Sequence, residues 1–146
     1  MIEAAGGLLE GRVAFVTGAA QGIGHAVALA MAREGAAVAL ADVAAVPVAD
    51  AAHAVAEATG ARTLGLGLDV TDEDATRAAS ERIARELGET DIVVANAGIL
   101  ALQLAVDTPL ATWRRVLEVN LTGAFLTATT FARRMKARGK GGRIVF

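Results

Sequence analysis

Five short segments, each almost continuously apolar, constrain the fold of this chain more than any other feature. They cover residues 13–16, 37–41, 63–68, 92–95 and 143–146. Because they lack the alternation of a half-exposed strand, they predict strands that are covered on both faces. Between them lie stretches with 3.6-residue apolar spacing, at about 22–34, 48–59, 72–87 and 109–137. Strands alternating with helices predict an α/β fold, a doubly wound parallel sheet with right-handed crossovers that ends after its fifth strand.

Capping residues support the helix assignments. Thr71 is predicted to cap the third helix, with acidic residues following it in the first turn. Thr108 precedes a proline, and we expect Pro109 at the first position of the fourth helix. The first three helices are each followed by a glycine that can take the left-handed conformation of a helix end, namely Gly35, Gly60 and Gly88.

A glycine-rich turn, Thr-Gly-Ala-Ala-Gln-Gly-Ile-Gly at residues 17–24, joins the first strand to the first helix. Gly18 is expected to make a tight exit from the strand, and Gly22 to let the backbone approach a pyrophosphate. Gly24 is expected to let the helix pack close to the sheet. The unpaired amides of the helix start would then hold phosphate groups. An ordinary turn is the alternative.

The spacing of these glycines, TGxxxGxG, resembles that of the short-chain dehydrogenase/reductase family in its single-domain branch. The resemblance implies a Rossmann-like, three-layer αβα fold with cofactor contacts from the whole turn, including Gln21 and Ile23. The turn lacks the Gly-Lys-Ser/Thr ending of a P-loop, which excludes nucleotide triphosphatase chemistry at this point.

Asp42 ends the second strand, about twenty residues beyond the glycine turn. A carboxylate at this place can accept hydrogen bonds from both adenosine ribose hydroxyls, and its charge repels a 2′-phosphate. The sequence therefore predicts NAD rather than NADP as cofactor. Gln21 agrees, since the resemblance implies a basic residue there in many NADP-preferring relatives. The alternative is an aspartate that only caps a loop.

The resemblance assigns further cofactor contacts to the ends of later strands. Asp69 would meet the adenine amino group and the Val70 amide a ring nitrogen, although Asp69 could instead help to cap the third helix. The remaining assigned contacts are Val43, Asn96, Ala97, Gly98 and Val119. Residues 95–98 are similar to the family's Asn-Asn-Ala-Gly motif, with alanine in place of the first asparagine. Asn96 would tie neighbouring strands together, and a plain turn is the alternative.

The long fourth helix, predicted at 109–137, contains Asn120, which matches the family's catalytic asparagine. The resemblance implies that this residue, expected to be buried, helps to hold a water in a proton relay. It could instead only fix a helix bend or pair with backbone. We interpret an apolar stripe at four-residue intervals as packing, with part of it available for a dimer or tetramer contact. The stripe consists of Trp113, Leu117, Leu121 and Phe125.

The family's catalytic serine and Tyr-x-x-x-Lys motif are missing from the sequence. There is no tyrosine, the lysines are Lys136 and Lys140, and the single serine, Ser80, falls in the third helix. The fifth strand would be an uncovered edge, which natural chains avoid. We therefore expect these residues to be part of a longer protein, an NAD-dependent oxidoreductase that interconverts a secondary alcohol and a ketone. The alternatives are a non-catalytic NAD-binding module or another Rossmann-like class, such as a methyltransferase.

The composition bears on the partners and the location of the protein. A net charge of -2 argues against nucleic acid as a partner. The chain has no cysteine, no apolar run long enough for a membrane span, and an opening unlike a signal peptide. We expect one dinucleotide-binding domain over residues 1–146, a cytoplasmic location, a small-molecule substrate and no metal.

Overall fold

The sheet of the computed structural model has five parallel strands in the order β3-β2-β1-β4-β5. The model describes residues 7–146, so the opening residues, on which the expectation about a signal peptide rests, lie outside the described part. The strands are β1 (Val13–Thr17), β2 (Ala37–Asp42), β3 (Thr63–Gly67), β4 (Ile92–Val94) and β5 (Arg143–Val145). Each matches a predicted apolar segment, and the doubly wound parallel α/β fold is confirmed.

Helices connect successive strands. They are α1 (Gly22–Arg33), α2 (Ala45–Thr59), α3 (Glu73–Glu86), α4 (Leu110–Leu117) and α5 (Ala124–Ala137). The predicted helix at 109–137 corresponds to α4 and α5, joined by a π-helical segment, Glu118–Gly123, and a short 3₁₀ turn, Ala105–Asp107, comes before it. Within residues 7–146, no helix combines the length and apolar character that a bilayer crossing requires.

Both faces of the sheet are covered, as the uninterrupted apolar segments require. On one face Ala14 and Val16 join a cluster with α1 and α2, and on the other Phe15 packs under α3 and α5. The Phe15 ring stacks on Phe131 of α5 with ring centres 4.6 Å apart. The central strand β1 is therefore buried along its whole length.

Three predicted helix starts differ from the structure, that of α2 by about three residues and those of α3 and α4 by one residue each. Helix α2 begins at Ala45 rather than near 48, because proline fits without loss in a first turn, and Pro47 lies there. Asp72 rather than Thr71 caps α3, since its carboxylate accepts from the Ala75 amide at 2.9 Å. Pro109 is the cap of α4 itself and has an extended ψ of 142°, so Leu110 is the first helical residue.

The predicted helix ends are confirmed. The glycines that follow α1, α2 and α3 all have positive φ, with values of 92° at Gly35, 73° at Gly60 and 116° at Gly88. Residues with a Cβ rarely adopt this conformation, and the glycines turn the chain back toward the next strand.

Candidate functional site

A crevice opens at the carboxyl ends of the strands, where the chain order reverses between β1 and β4. Ligands of open α/β sheets bind at such a switch point. Predicted cofactor residues that line it are Gly18, Asp42, Val43, Asp69, Val70, Ala97, Gly98 and Val119. Leu68, Ile99 and Arg115, which the sequence did not single out, complete the lining. A larger cavity at the opposite ends of the strands, lined by Arg12, Gly35 and Arg62 among others, contains no predicted site residue.

The glycine-rich turn has the conformation that its glycines were expected to allow. Gly18 and Gly22 have φ values of 64° and 60°. A Cβ on Gly24 would collide with the Gly18 carbonyl and lie 2.7 Å from the Asn96 amide nitrogen. Helix α1 starts at Gly22, and the Gln21 side chain does not cap it. Its first amides therefore keep their hydrogen-bonding capacity for an anion.

Asp42 connects the glycine turn to the loop after β2. Its Oδ2 accepts a hydrogen bond from the Ala20 amide at 3.2 Å, and its Oδ1 accepts one from the Ala44 amide at 3.1 Å. The alternative that Asp42 caps a loop therefore describes contacts that the side chain makes. Each carboxylate oxygen has a further lone pair, so the group can still accept hydrogen bonds from a ligand.

Asn96 ties the end of β4 to the end of β1, as expected. Its side-chain amide donates to the carbonyls of Thr17 at 3.0 Å and Gly18 at 3.2 Å. Sequence reasoning missed the role of Thr17, a buried residue whose hydroxyl accepts from the Ala97 amide at 3.0 Å. Its only signal was a hydroxyl side chain at the end of an apolar strand. Together these bonds fix residues 96–97 against the glycine turn.

Asp69 is held by its neighbour in the chain. Its Oδ1 accepts from the Thr71 hydroxyl at 2.7 Å and the Thr71 amide at 3.0 Å. These bonds lower the pKa of Asp69, with a smaller contribution from the Arg115 charge, while burial acts in the opposite direction. The carboxylate therefore closes the turn into α3, although Asp72 is the actual cap.

Asn120 was expected to be buried, and this is wrong, because its side chain lies on the exposed side of the π-helical segment. The side chain makes two hydrogen bonds, both to the backbone of one residue. Its Oδ1 accepts from the Ile99 amide at 2.8 Å, and its Nδ2 donates to the Ile99 carbonyl at 3.0 Å. The backbone-pairing alternative describes this contact. Asn120 thereby fixes the loop after β4 on the long helix.

We expect Asn120→Ala to lower the free energy of unfolding by about 1 kcal/mol, because both backbone groups of Ile99 lose their partner. Urea denaturation measures this change. Thr129→Ala is the matched control, since it removes a hydroxyl that bonds only carbonyls of its own helix, those of Phe125 and Leu126. Equal stabilities of the two variants would contradict the prediction.

The apolar stripe on the long helix does not pack inside the chain, contrary to expectation. Trp113 is 56% exposed, Leu121 65% and Phe125 60%, and Leu117 is also exposed. The stripe lies on the side opposite the residues that face the sheet, which are Val119, Gly123 and Thr127. Four-residue spacing identifies a common face of a helix but does not say whether anything covers it.

Strand β5 is an edge among the described residues. It pairs with β4, Ile144 is partly buried, and Val145 is 51% exposed. The Ser80 hydroxyl donates to the Arg77 carbonyl within α3 at 2.7 Å. In residues 7–146, no three histidine or acidic side chains are grouped as a metal site would require.

Comparisons with known proteins agree with this architecture. A family model described as short chain dehydrogenase matches residues 12–146. Cis-4-hydroxycyclohexanecarboxylate dehydrogenase of Sinomonas cyclohexanicum is 47% identical over 131 residues, 89% of this chain and 52% of that protein. D-threitol dehydrogenase of Mycolicibacterium smegmatis is 40% identical over 140 residues, 94% of this chain and 52% of that protein.

Solved structures are similar as well. A crystal structure of a short-chain type dehydrogenase/reductase from Mycobacterium marinum has a TM-score of 0.89 at 42% identity, covering 93% of this chain and 55% of that one. NAD⁺-bound xylitol dehydrogenase has a TM-score of 0.89 at 36% identity, covering 94% and 52%. The chain thus spans about half the length of these relatives.

Proposed function

Because the chain belongs to the short-chain dehydrogenase family, we propose that it forms the NAD-binding part of an oxidoreductase that interconverts a secondary alcohol and a ketone. NAD supplies the site that accepts or releases the hydride. The protein supplies binding and orientation. We propose residues 1–146 as one dinucleotide-binding unit.

The carboxylate of Asp42 is the observation that carries the proposal of NAD. It stands at the end of β2, fixed by the Ala20 amide of the glycine turn and by the Ala44 amide. Its remaining lone pairs are available to the two ribose hydroxyls, whereas a 2′-phosphate would bring like charges together. No lysine or arginine occurs in residues 17–24 to offset that repulsion.

We propose that the other predicted contacts bind the same cofactor. The positive-φ glycines and the uncapped start of α1 suit the pyrophosphate. Asp69 and Val70 would bind adenine, with Val43 beside them in the crevice lining. Ala97, Gly98 and Val119 would border the nicotinamide ribose. Asn96 would contribute through the bonds that hold the glycine turn. Gln21 and Ile23, which are exposed on that turn, would contact the cofactor directly.

We propose that Asn120 serves the proton relay by fixing the loop after β4 on the long helix, through its two hydrogen bonds to Ile99. The sequence contains no tyrosine. A complete relay therefore requires a serine, a tyrosine and a lysine from outside these 146 residues. A non-catalytic NAD-binding module is the second candidate.

Small hydroxylated molecules are the substrate class that we propose. The relatives are named for a hydroxycyclohexanecarboxylate, threitol and xylitol, all of which carry secondary alcohols. An apolar groove beside the crevice, lined by Leu100, Leu110 and Trp113 among others, would suit the carbon skeleton of such a substrate.

We propose a homo-oligomer, a dimer or tetramer, formed through the long helix at 109–137. The exposed stripe of Trp113, Leu117, Leu121 and Phe125 supports it, because contiguous apolar surface on a helix favours association. A cytoplasmic location, with no nucleic-acid or membrane partner, is part of the same proposal. Net charge and the absence of cysteine agree with it.

A fluorescence titration with NADH and NADPH tests the proposed function. We expect NADH to bind at least about tenfold more tightly, because the 2′-phosphate would face the Asp42 carboxylate. A protein that bound neither dinucleotide, or that preferred NADPH, would contradict the proposal. Oxidation of a secondary alcohol by the full-length protein, with reduction of NAD, would then separate the enzyme from the non-catalytic module.

A further inference from the structure

Among residues 7–146, Arg115 is the one cation in the lining of the crevice. It lies on α4, one helical turn before Val119, and it points toward the end of β3. One of its terminal nitrogens is 3.6 Å from Oδ2 of Asp69. The sequence singled out Asp69 but not this partner, since the two residues are far apart along the chain.

The two oxygens of the Asp69 carboxylate have different surroundings. Oδ1 receives both hydrogen bonds from Thr71. Oδ2 faces Arg115 at 3.6 Å, which is an ion-pair distance and longer than a hydrogen bond. Oδ2 is therefore oriented by a charge while its lone pairs stay available to a donor in the crevice.

The ion pair itself contributes little to folding. The side chains of Arg115 and Asp69 are 53% and 40% exposed, and solvent screens pairs of this kind. The consequence of the pair is local. Thr71 holds one oxygen through two hydrogen bonds and the charge of Arg115 attracts the other, so groups from two elements, the turn into α3 and helix α4, act on the carboxylate.

We infer that Arg115 is a positioning residue of the adenine subsite, holding Asp69 so that Oδ2 accepts a hydrogen bond from the exocyclic amino group of adenine. The inference rests on the proposed function, because it requires an adenine dinucleotide in this crevice. The planar guanidinium beside Oδ2 also offers a flat surface to the purine ring. A lysine lacks that surface and the forked set of donors.

The test compares NADH with its reduced hypoxanthine analogue, in which a carbonyl oxygen replaces the amino group. An acceptor such as Oδ2 of Asp69 favours the amino group and repels the carbonyl. In Arg115→Gln the carboxylate is held by Thr71 alone, and we expect the dissociation constant of NADH to rise by about two- to fivefold. The preference for NADH over the analogue should fall by a similar factor. Arg115→Lys should restore part of it.

Arg114→Gln is the matched control, because it removes the same charge from the exposed neighbouring position on α4. It should leave the preference unchanged, and thermal unfolding should show both variants folded. If Arg115 itself bound the purine substituent, its loss would weaken binding of the analogue and raise the preference for NADH. A preference that rises or stays constant overturns the inference, as does a wild-type protein that binds both dinucleotides equally. Absence of any NADH binding would instead overturn the proposed function.

Discussion

Replacing Asp42 by alanine is expected to weaken NADH binding by about ten- to a hundredfold, because hydrogen bonds to a charged group each contribute about 1.5–3 kcal/mol. The same change should leave NADPH binding equal or stronger, since the carboxylate no longer repels the 2′-phosphate. The ratio of the two dissociation constants, measured by fluorescence titration, should therefore fall toward one.

Asp42→Asn separates the charge from the structure of the turn. Asp42 also accepts from the Ala20 and Ala44 amides, so alanine loosens the glycine turn as well. Asparagine removes the charge but retains one acceptor for these amides. It should reduce the preference for NADH over NADPH, with a smaller loss of NADH binding than alanine causes. Asp50→Ala, an exposed aspartate of α2, is the control for net charge. Unchanged discrimination in both Asp42 variants would remove the main support for NAD as cofactor.

Gly24→Ala is expected to abolish measurable NADH binding and to lower the free energy of unfolding by about 1–3 kcal/mol, the range for overpacking a close contact. The added Cβ would collide with the Gly18 carbonyl and lie 2.7 Å from Nδ2 of Asn96. To relieve this collision, the start of α1 must move away from β1 and β4. That movement shifts the amides proposed to hold the pyrophosphate.

Gly60→Ala is the matched control for lost stability. Gly60 ends α2 with a φ of 73° and has open space around it. A Cβ there costs about 1–2 kcal/mol through the left-handed conformation alone. In urea denaturation the two variants should therefore lose similar free energies of unfolding. In NADH titration, only Gly24→Ala should lose binding. Equal NADH affinity in both would show that the close approach at Gly24 has no part in binding.

Local sequence patterns were sufficient for the elements of the fold. Strands covered on both faces leave continuous apolar segments, and all five were located, because this signature depends on neighbouring residues alone. Helix starts were predicted less accurately than strands. Pro47 was not expected inside α2, and Asp72 rather than Thr71 caps α3, because adjacent residues compete for one cap and tertiary contacts decide between them.

The sequence by itself determined the parallel sheet, the conformation of the glycine turn and the placement of Asp42 and Asp69 at strand ends, because spacing along one segment carries that information. Only the tertiary structure decided that Asn120 pairs with Ile99, that Arg115 faces Asp69 and that the stripe from Trp113 to Phe125 is exposed. Each of these depends on where distant segments meet. Periodicity identifies residues that share a face of an element, but what lies against that face is fixed by how the elements pack.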